Sequence, residues 1–184
     1  MLTEDSPETE EIARHLHDLN ARRQQEQSEM LATAQAVVDT WDFRQHRVII
    51  INHLGWNKGI IGLTAGRLSE QYHYPVIVLS QDDSGECVGS CRSIEGVNMH
   101  RVLTECARRH REYTGTELFV RFGGHAMAAG LTIRAELLPK LAELMDRVIG
   151  EPAFCPDPGC YIPAEEYDCA VPLKEVTLDM VDNL

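Results

Sequence analysis

Residues 47–80 read RVIIINHLGWNKGIIGLTAGRLSEQYHYPVIVLS, and this stretch decides the fold. Arg47-Val48-Ile49-Ile50-Ile51-Asn52 is short, β-branched and continuous, the pattern of a strand buried on both faces. The loop His53–Gly59 follows, then a helix carrying Ile61, Ala65, Leu68 and Tyr72 on one face. Gly62 and Gly66 lie one turn apart in that helix and leave room for another backbone to approach. Pro75 punctuates, and Val76 to Ser80 is a second strand. A strand–helix–strand order predicts parallel pairing within an α/β sheet.

Downstream, Gln81-Asp82-Asp83-Ser84-Gly85 is a turn, and Glu86 to Arg92 is the returning strand of a hairpin. A helix begins near Asn98 with Met99, Leu103, Cys106 and His110 as its inward stripe; Arg101, Arg108, Arg109 and Arg111 occupy its other faces. Leu118 to Arg121 reads as a short extended piece, Phe122 to Met127 as a loop, and Ala128 to Ile133 as a strand. Ala135 to Ile149 is a last helix, with Leu138, Leu141, Met145 and Val148 inward and Gly150 as its stop.

Upstream, Ser6-Pro7-Glu8 has the chemistry of a helix start, with a capping hydroxyl, proline in the first turn and an acid beside it. Ile12, Leu16 and Leu19 recur at helical spacing, and Met30, Ala34, Val37 and Trp41 resume the stripe after the polar waist Asn20–Glu29. A helix of this kind bridges two bodies rather than filling one core. After Gly150 the character changes, with five of the eight prolines in 151–184. Tyr167–Val171 reads as a strand and Thr177–Leu184 as a helix start. The expected architecture is α/β: a mixed β-sheet with flanking helices, preceded by a long connecting helix. Its expected divisions are 1–42 for that helix, 43–150 for the sheet domain, and 151–184 for a linker and the opening of another domain.

The chain has 184 residues, 43% of them hydrophobic and 25% charged, a composition that excludes wholesale disorder. No apolar run has the length of a membrane span, and the acidic start resembles neither a signal nor a transit peptide, so the expected compartment is the cytoplasm. The net charge of −12 is uneven: −6 in residues 1–40, +1 in 41–150 and −7 in 151–184. The neutral middle is therefore open to a polyanion that the flanks would repel. Cys87, Cys91, Cys106, Cys155, Cys160 and Cys169 lack zinc-knuckle spacing and are expected to be free thiols, with Cys155 and Cys160 the one pair close enough to examine.

Three stretches carry candidate chemistry. Arg121-Phe122-Gly123-Gly124-His125-Ala126-Met127-Ala128-Ala129-Gly130 sets two glycines, which admit backbone approach to an anion, beside the imidazole of His125. A structural turn is the competing reading. In Gly89-Ser90-Cys91-Arg92-Ser93, Ser90 and Arg92 share one face if the segment is extended; hydroxyl and guanidinium together suit a phosphate. A surface ion pair is the blander alternative. The loop His53–Gly59 sits where α/β sheets bind ligands, with Trp56 either stacking on a base or filling the core edge. Arg101, Arg108, Arg109 and Arg111 either track a nucleic-acid backbone or form a solvated face with Glu105 and Glu112. No P-loop, G-x-S-x-G, paired catalytic carboxylates or metal-ligand spacing is present.

Taken in order, Leu19-Asn20-Ala21-Arg22-Arg23-Gln24, Trp56-Asn57-Lys58-Gly59-Ile60-Ile61-Gly62, Gly89–Ser93 and Arg121–Gly130 resemble the RecJ family of single-stranded-DNA-specific exonucleases in the DHH phosphoesterase superfamily. The resemblance covers about residues 5–150. It implies that 1–42 is the helix leading from an N-terminal DHH domain, that 43–150 is the DHH-associated substrate-binding domain, and that 151–184 opens an OB-type domain. It implies Mn2+ or Mg2+ in the DHH domain, none in this chain, and no catalytic residue here. Ser90 and Arg92 would hold a terminal phosphate, while Gly123, Gly124 and His125 would form the substrate loop; Trp56, Asn57 and Arg121 are further candidate contacts. The implied partners are single-stranded DNA and the intramolecular DHH and OB-type domains, with no membrane. The implied activity is metal-dependent 5′–3′ hydrolysis in DNA repair and recombination, with these residues inactive alone. Asn57 stands where the family usually has His, and Cys91 where a small residue is common. The alternatives are the substrate domain of a phosphodiesterase for short oligoribonucleotides or cyclic dinucleotides, and a non-catalytic interaction module.

Overall fold

Strands β1 (Ile49–Leu54) and β2 (Val76–Gln81) pair in parallel through the crossover helix α2 (Ile61–Tyr72), as the strand–helix–strand pattern requires. This computed structural model describes residues 7–162. β3 (Glu86–Arg92) returns antiparallel to β2, and β4 (Arg121–Gly124) and β5 (Ala128–Arg134) form a second hairpin. β5 rather than β4 pairs with β3, so the five strands lie in the order β1-β2-β3-β5-β4. The fold is a mixed α/β sheet with helices on both faces.

Two apolar clusters divide those faces. Ile77, Leu79, Cys87, Cys91, Leu131 and Ile133 point one way and pack under α3 (Met99–Thr114) and α4 (Leu138–Ile149). Ile49, Ile51, Val76 and Val78 point the other way, under α2 and the long helix α1 (Pro7–Val38). The alternation is strict along β3: Cys87, Gly89 and Cys91 are buried, while Val88, Ser90 and Arg92 on the α2 face are half-buried. Burial pushes the Cys91 thiol up to about 12, so it stays protonated and is no nucleophile.

The inward stripe of α3 contains Met99, Leu103, Cys106 and His110 with Val102 added, and Asn98 caps its start by accepting from the Arg101 N–H. In α4, Leu141, Met145 and Val148 are buried with Leu144 and Ile149. The segment Ala135–Leu137 is a single 3-10 turn leading into α4, so the α-helix starts later than its apolar pattern suggests. In α1 the buried residue is Val38, not Val37, which lies outside with Met30 and Ala34 inside. The helix therefore meets the sheet one residue further round. Ile12, Leu16 and Leu19 stay 60%, 60% and 45% exposed. Expectations for Ser6, Tyr167–Val171 and Thr177–Leu184 lie outside the described residues.

Phe122 to Met127 is not simply a loop. Gly123 and Gly124 belong to β4, paired with Gly130 and Ala129 of β5. Glycines carry no side-chain alternation, so the strand left no pattern to read. The five described cysteines are free. Cys155 and Cys160 approach to 3.2 Å between sulfurs as thiols, and burial pushes Cys160 up to about 12.

Candidate nucleic-acid interface

Ser90 and Arg92 stand two residues apart on one face of β3, and the Arg92 guanidinium folds back along the strand. Its Nη1 donates to Ser90 Oγ at 3.1 Å and to the Cys91 carbonyl at 2.8 Å. Among the described residues no carboxylate pairs with it. A half-buried guanidinium without a counter-ion is held at some desolvation cost and is poised for an external anion.

The first turn of α2 closes over this pair. A Cβ built on Gly62 would lie 3.1 Å from Ser90 Oγ and 3.3 Å from Arg92 Nη2. Gly62 thus gives room to two side chains of β3 rather than to another backbone, and Gly66 has nothing within 4 Å. Ile60, at the α2 N-cap, provides no side-chain cap. The carbonyl of Ile60 accepts from Leu63 and Thr64, whereas the N–H groups of Ile61 and Gly62 have no acceptor among the described residues. A hydroxyl and a guanidinium meet the first turn of α2, whose unbonded amides lie at the positive end of the helix dipole, a set of donors suited to phosphate.

The glycine motif approaches the same region from β4. Gly124 has φ +139°, and a Cβ there would lie 2.5 Å from Ala129 Cα, so only glycine fits. His125 then turns the chain, its N–H donating to the Ala128 carbonyl at 2.8 Å. Ala128 is the strand partner of Arg92, and the Met127 carbonyl accepts from the Ser93 N–H at 2.9 Å. These bonds tether the hairpin turn to the end of β3. The His125 ring is exposed and makes no hydrogen bond among the described residues. Arg121 is exposed on the Ser90 face of the sheet, its Nε donating to Thr132 Oγ1 at 3.1 Å.

Trp56 and Asn57 do other work. Trp56 stacks on His53 at 4.7 Å and packs at the edge of the α1–α2 cluster, while its carbonyl accepts from Ser80 Oγ. Asn57 Nδ2 donates to Glu26 of α1 at 2.9 Å, and its Oδ1 accepts the Gly59 N–H, a turn that sets the entry to α2. Gly62 was not legible as a site residue, because only the packing of α2 against β3 brings it there.

The α3 arginines are engaged. Arg108 pairs with Glu105 and Glu112, Arg109 with Glu105 and Glu151, and Arg111 with Glu117. Arg101 lies over the Phe154 ring. Hydrogen bonds from Arg108, then from Arg109, hold the Glu105 carboxyl down to about 2. This is the solvated-face reading, on the opposite side of the sheet from Ser90.

Fold and donor set are those of an α/β module with a phosphate-sized cluster of donors on one sheet face. The chain belongs to the DHHA1 domain family, whose pattern matches residues 45–151. It is 33% identical over 189 residues to the single-stranded-DNA-specific exonuclease RecJ of Bacillus subtilis, spanning 100% of this chain and 22% of that protein. The Haemophilus influenzae protein of the same name is 38% identical over 96 residues, 52% of this chain and 16% of that one. The crystal structure of Thermus thermophilus RecJ in complex with Mn2+ matches at a TM-score of 0.62 and 26% identity, over 79% of this chain and 20% of that chain. A crystal structure of exonuclease RecJ bound to manganese matches at 0.62 and 27%, over 82% and 35%. Among the described residues no group of three or more His, Cys, Asp or Glu comes together to hold a metal ion.

Proposed function

We infer that this chain is the strand-holding part of a RecJ-like exonuclease specific for single-stranded DNA. Ser90, Arg92 and the first-turn amides of α2 bind the terminal 5′-phosphate. The Gly123-Gly124-His125 turn guides the following backbone toward a DHH domain that supplies Mn2+ or Mg2+ and the hydrolysis. Residues 1–42 act as the helix to that domain, 43–150 as the substrate-binding unit, and 151–184 as the lead into an OB-type domain. Digestion runs 5′ to 3′, in the cytoplasm, in DNA repair and recombination. Among the described residues no helix is long and apolar enough to cross a membrane.

The observation that carries this reading is the Arg92 guanidinium, half-buried beside Ser90 with no carboxylate partner. A phosphate there would meet charge-assisted bonds from the guanidinium and neutral bonds from the hydroxyl and amides. The test is hydrolysis of single- and double-stranded DNA and of short RNA by the longer protein, with and without manganese. Manganese-dependent degradation of single-stranded DNA, weakened by Arg92→Ala, is the expected result. Preference for oligoribonucleotides of a few residues would favour the phosphodiesterase alternative, and no hydrolysis would leave the interaction module.

A further inference from the structure

Past Gly150 the chain runs as a strap across several parts of the sheet domain. Glu151 reaches Arg109 of α3 at 2.6 Å, Phe154 lies under Arg101, and the Tyr161 hydroxyl donates to the Arg47 carbonyl at 3.0 Å. The Tyr161 ring also meets the Tyr74 ring at 4.5 Å between centroids. Cys155 and Cys160 sit inside this strap, joined by a turn built from its own residues. Asp157 Oδ1 accepts from the Gly159 N–H at 2.8 Å, and the Asp157 carbonyl accepts from the Cys160 N–H at 3.1 Å. The turn brings the two sulfurs to 3.2 Å. Cys155 Sγ donates to the Asp157 carbonyl at 3.3 Å, which leaves Cys160 as the donor to the Cys155 sulfur. Cys160 is seated on the turn between β3 and α3, where a Cβ on Gly96 would lie 3.0 Å from its own Cβ. Cys155 is 7% exposed, whereas Cys160 is partly open to solvent.

We propose that Cys155 and Cys160 form a reversible disulfide by exchange with a low-molecular-weight disulfide of the glutathione type, and that this bond locks the strap. Cys160, the open thiol, attacks one sulfur of the small disulfide. The old S–S bond breaks, the Cys160 proton leaves with the departing thiol, and a mixed disulfide remains. Cys155 then attacks Cys160 Sγ and releases the second small thiol, which takes the Cys155 proton. The chain has lost two electrons, and the small disulfide has become two thiols. Closing 3.2 Å to a bond of about 2.05 Å asks for a shift of about 1 Å. Such proximity favours the second step over a second molecule of reagent. Burial keeps Cys160 protonated and slows the first step, so the equilibrium position is the proper readout. Among the described residues no third His, Cys, Asp or Glu joins the pair to hold a metal ion, which leaves the two sulfurs to each other. Cys87, Cys91 and Cys106 are each 0% exposed and out of reach of such a reagent.

The test equilibrates the folded chain in glutathione buffers of graded oxidised-to-reduced ratio, alkylates the remaining thiols and maps them by mass. Cys169→Ser is made first, so that the tryptic peptide 148–174 holds only this pair. The expected peptide is lighter by two hydrogens and unalkylated. Its fraction should rise with the oxidised share and return to zero in dithiothreitol. Cys155→Ser should stop at one glutathione on Cys160, and Cys160→Ser should leave Cys155 at least tenfold less modified. Phenylarsine oxide, which bridges neighbouring thiols, should bind the reduced pair once and protect both sulfurs, a readout that needs neither variant to fold. The oxidised chain should melt a few degrees above the reduced one. A pair that stays fully alkylated in oxidised glutathione alone, or that carries one glutathione on each sulfur, would overturn the proposal. An equal or lower midpoint after oxidation would overturn the locking role.

Discussion

Two sets of arginines lie on opposite faces of one sheet, and their partners separate them. On α3, Arg108 sits 2.5 Å from Glu112 and Arg109 sits 2.6 Å from Glu151; Glu105 bridges both arginines. These charges are neutralised within the fold. On β3, Arg92 has a hydroxyl and a carbonyl for company, and the first turn of α2 lies against it at Gly62. The more crowded arginine helix is thus the poorer place for a polyanion, because carboxylates already hold Arg108, Arg109 and Arg111, leaving only Arg101, which lies over the Phe154 ring. Counting basic residues favours α3, and counting their carboxylate partners favours β3.

The comparison breaks most easily at Arg92. Arg92→Ala should lower affinity for a 5′-phosphorylated single strand by roughly ten- to a hundredfold, the scale of a hydrogen bond to a charged group. Arg108→Ala should leave that affinity within about twofold. The salt dependence should follow, with the slope of log K against log salt losing about 0.7 for a lost phosphate contact in Arg92→Ala and nothing in Arg108→Ala.

Gly62→Ala sharpens the same contrast with a smaller effect. The added methyl stands 3.1 Å from Ser90 Oγ and 3.3 Å from Arg92 Nη2, so one of them must shift. Affinity for the phosphorylated strand should fall several-fold. Alanine favours the helix over glycine, so the thermal midpoint should hold or rise. Loss of affinity together with loss of fold would contradict a purely positional role.

On the other face the effects should be on stability alone. Arg109→Ala removes a bridge between α3 and the segment after α4 and should lower the thermal midpoint by a few degrees at most, with no change in strand affinity. Glu105 supplies the pH signature. Its folded carboxyl is held at about 2 against an ordinary 4.5, so its contribution is complete above pH 4.5 and is lost as pH falls toward 2. Acid titration of Glu105→Gln should show a shallower loss of stability across that window than the parent chain.

Much of this was legible in the sequence because it is local. The run Val48–Ile51, the stripe Ile61–Leu68 and the run Val76–Leu79 encode strand, helix and strand by periodicity alone. The Ser90–Arg92 pairing needed only the alternation of an extended chain. What stayed hidden is non-local or lacks side chains. β4 escaped because Gly123 and Gly124 carry no pattern, and its partner in the sheet is known only from register. Gly62 read as a gap for a backbone, since nothing in α2 itself announces that β3 will lie beneath it. Glu105 and Glu112 are visible partners at helical spacing, whereas Glu151, 42 residues from Arg109, is not.

The most direct test is a low-salt fluorescence-anisotropy titration of this chain with 5′-phosphorylated and 5′-hydroxyl single strands of one sequence, repeated with Arg92→Ala and Arg108→Ala. A preference for the phosphorylated strand that disappears in Arg92→Ala and survives in Arg108→Ala is the predicted result. A preference that survives in Arg92→Ala and disappears in Arg108→Ala would place the phosphate on the other face and contradict the account.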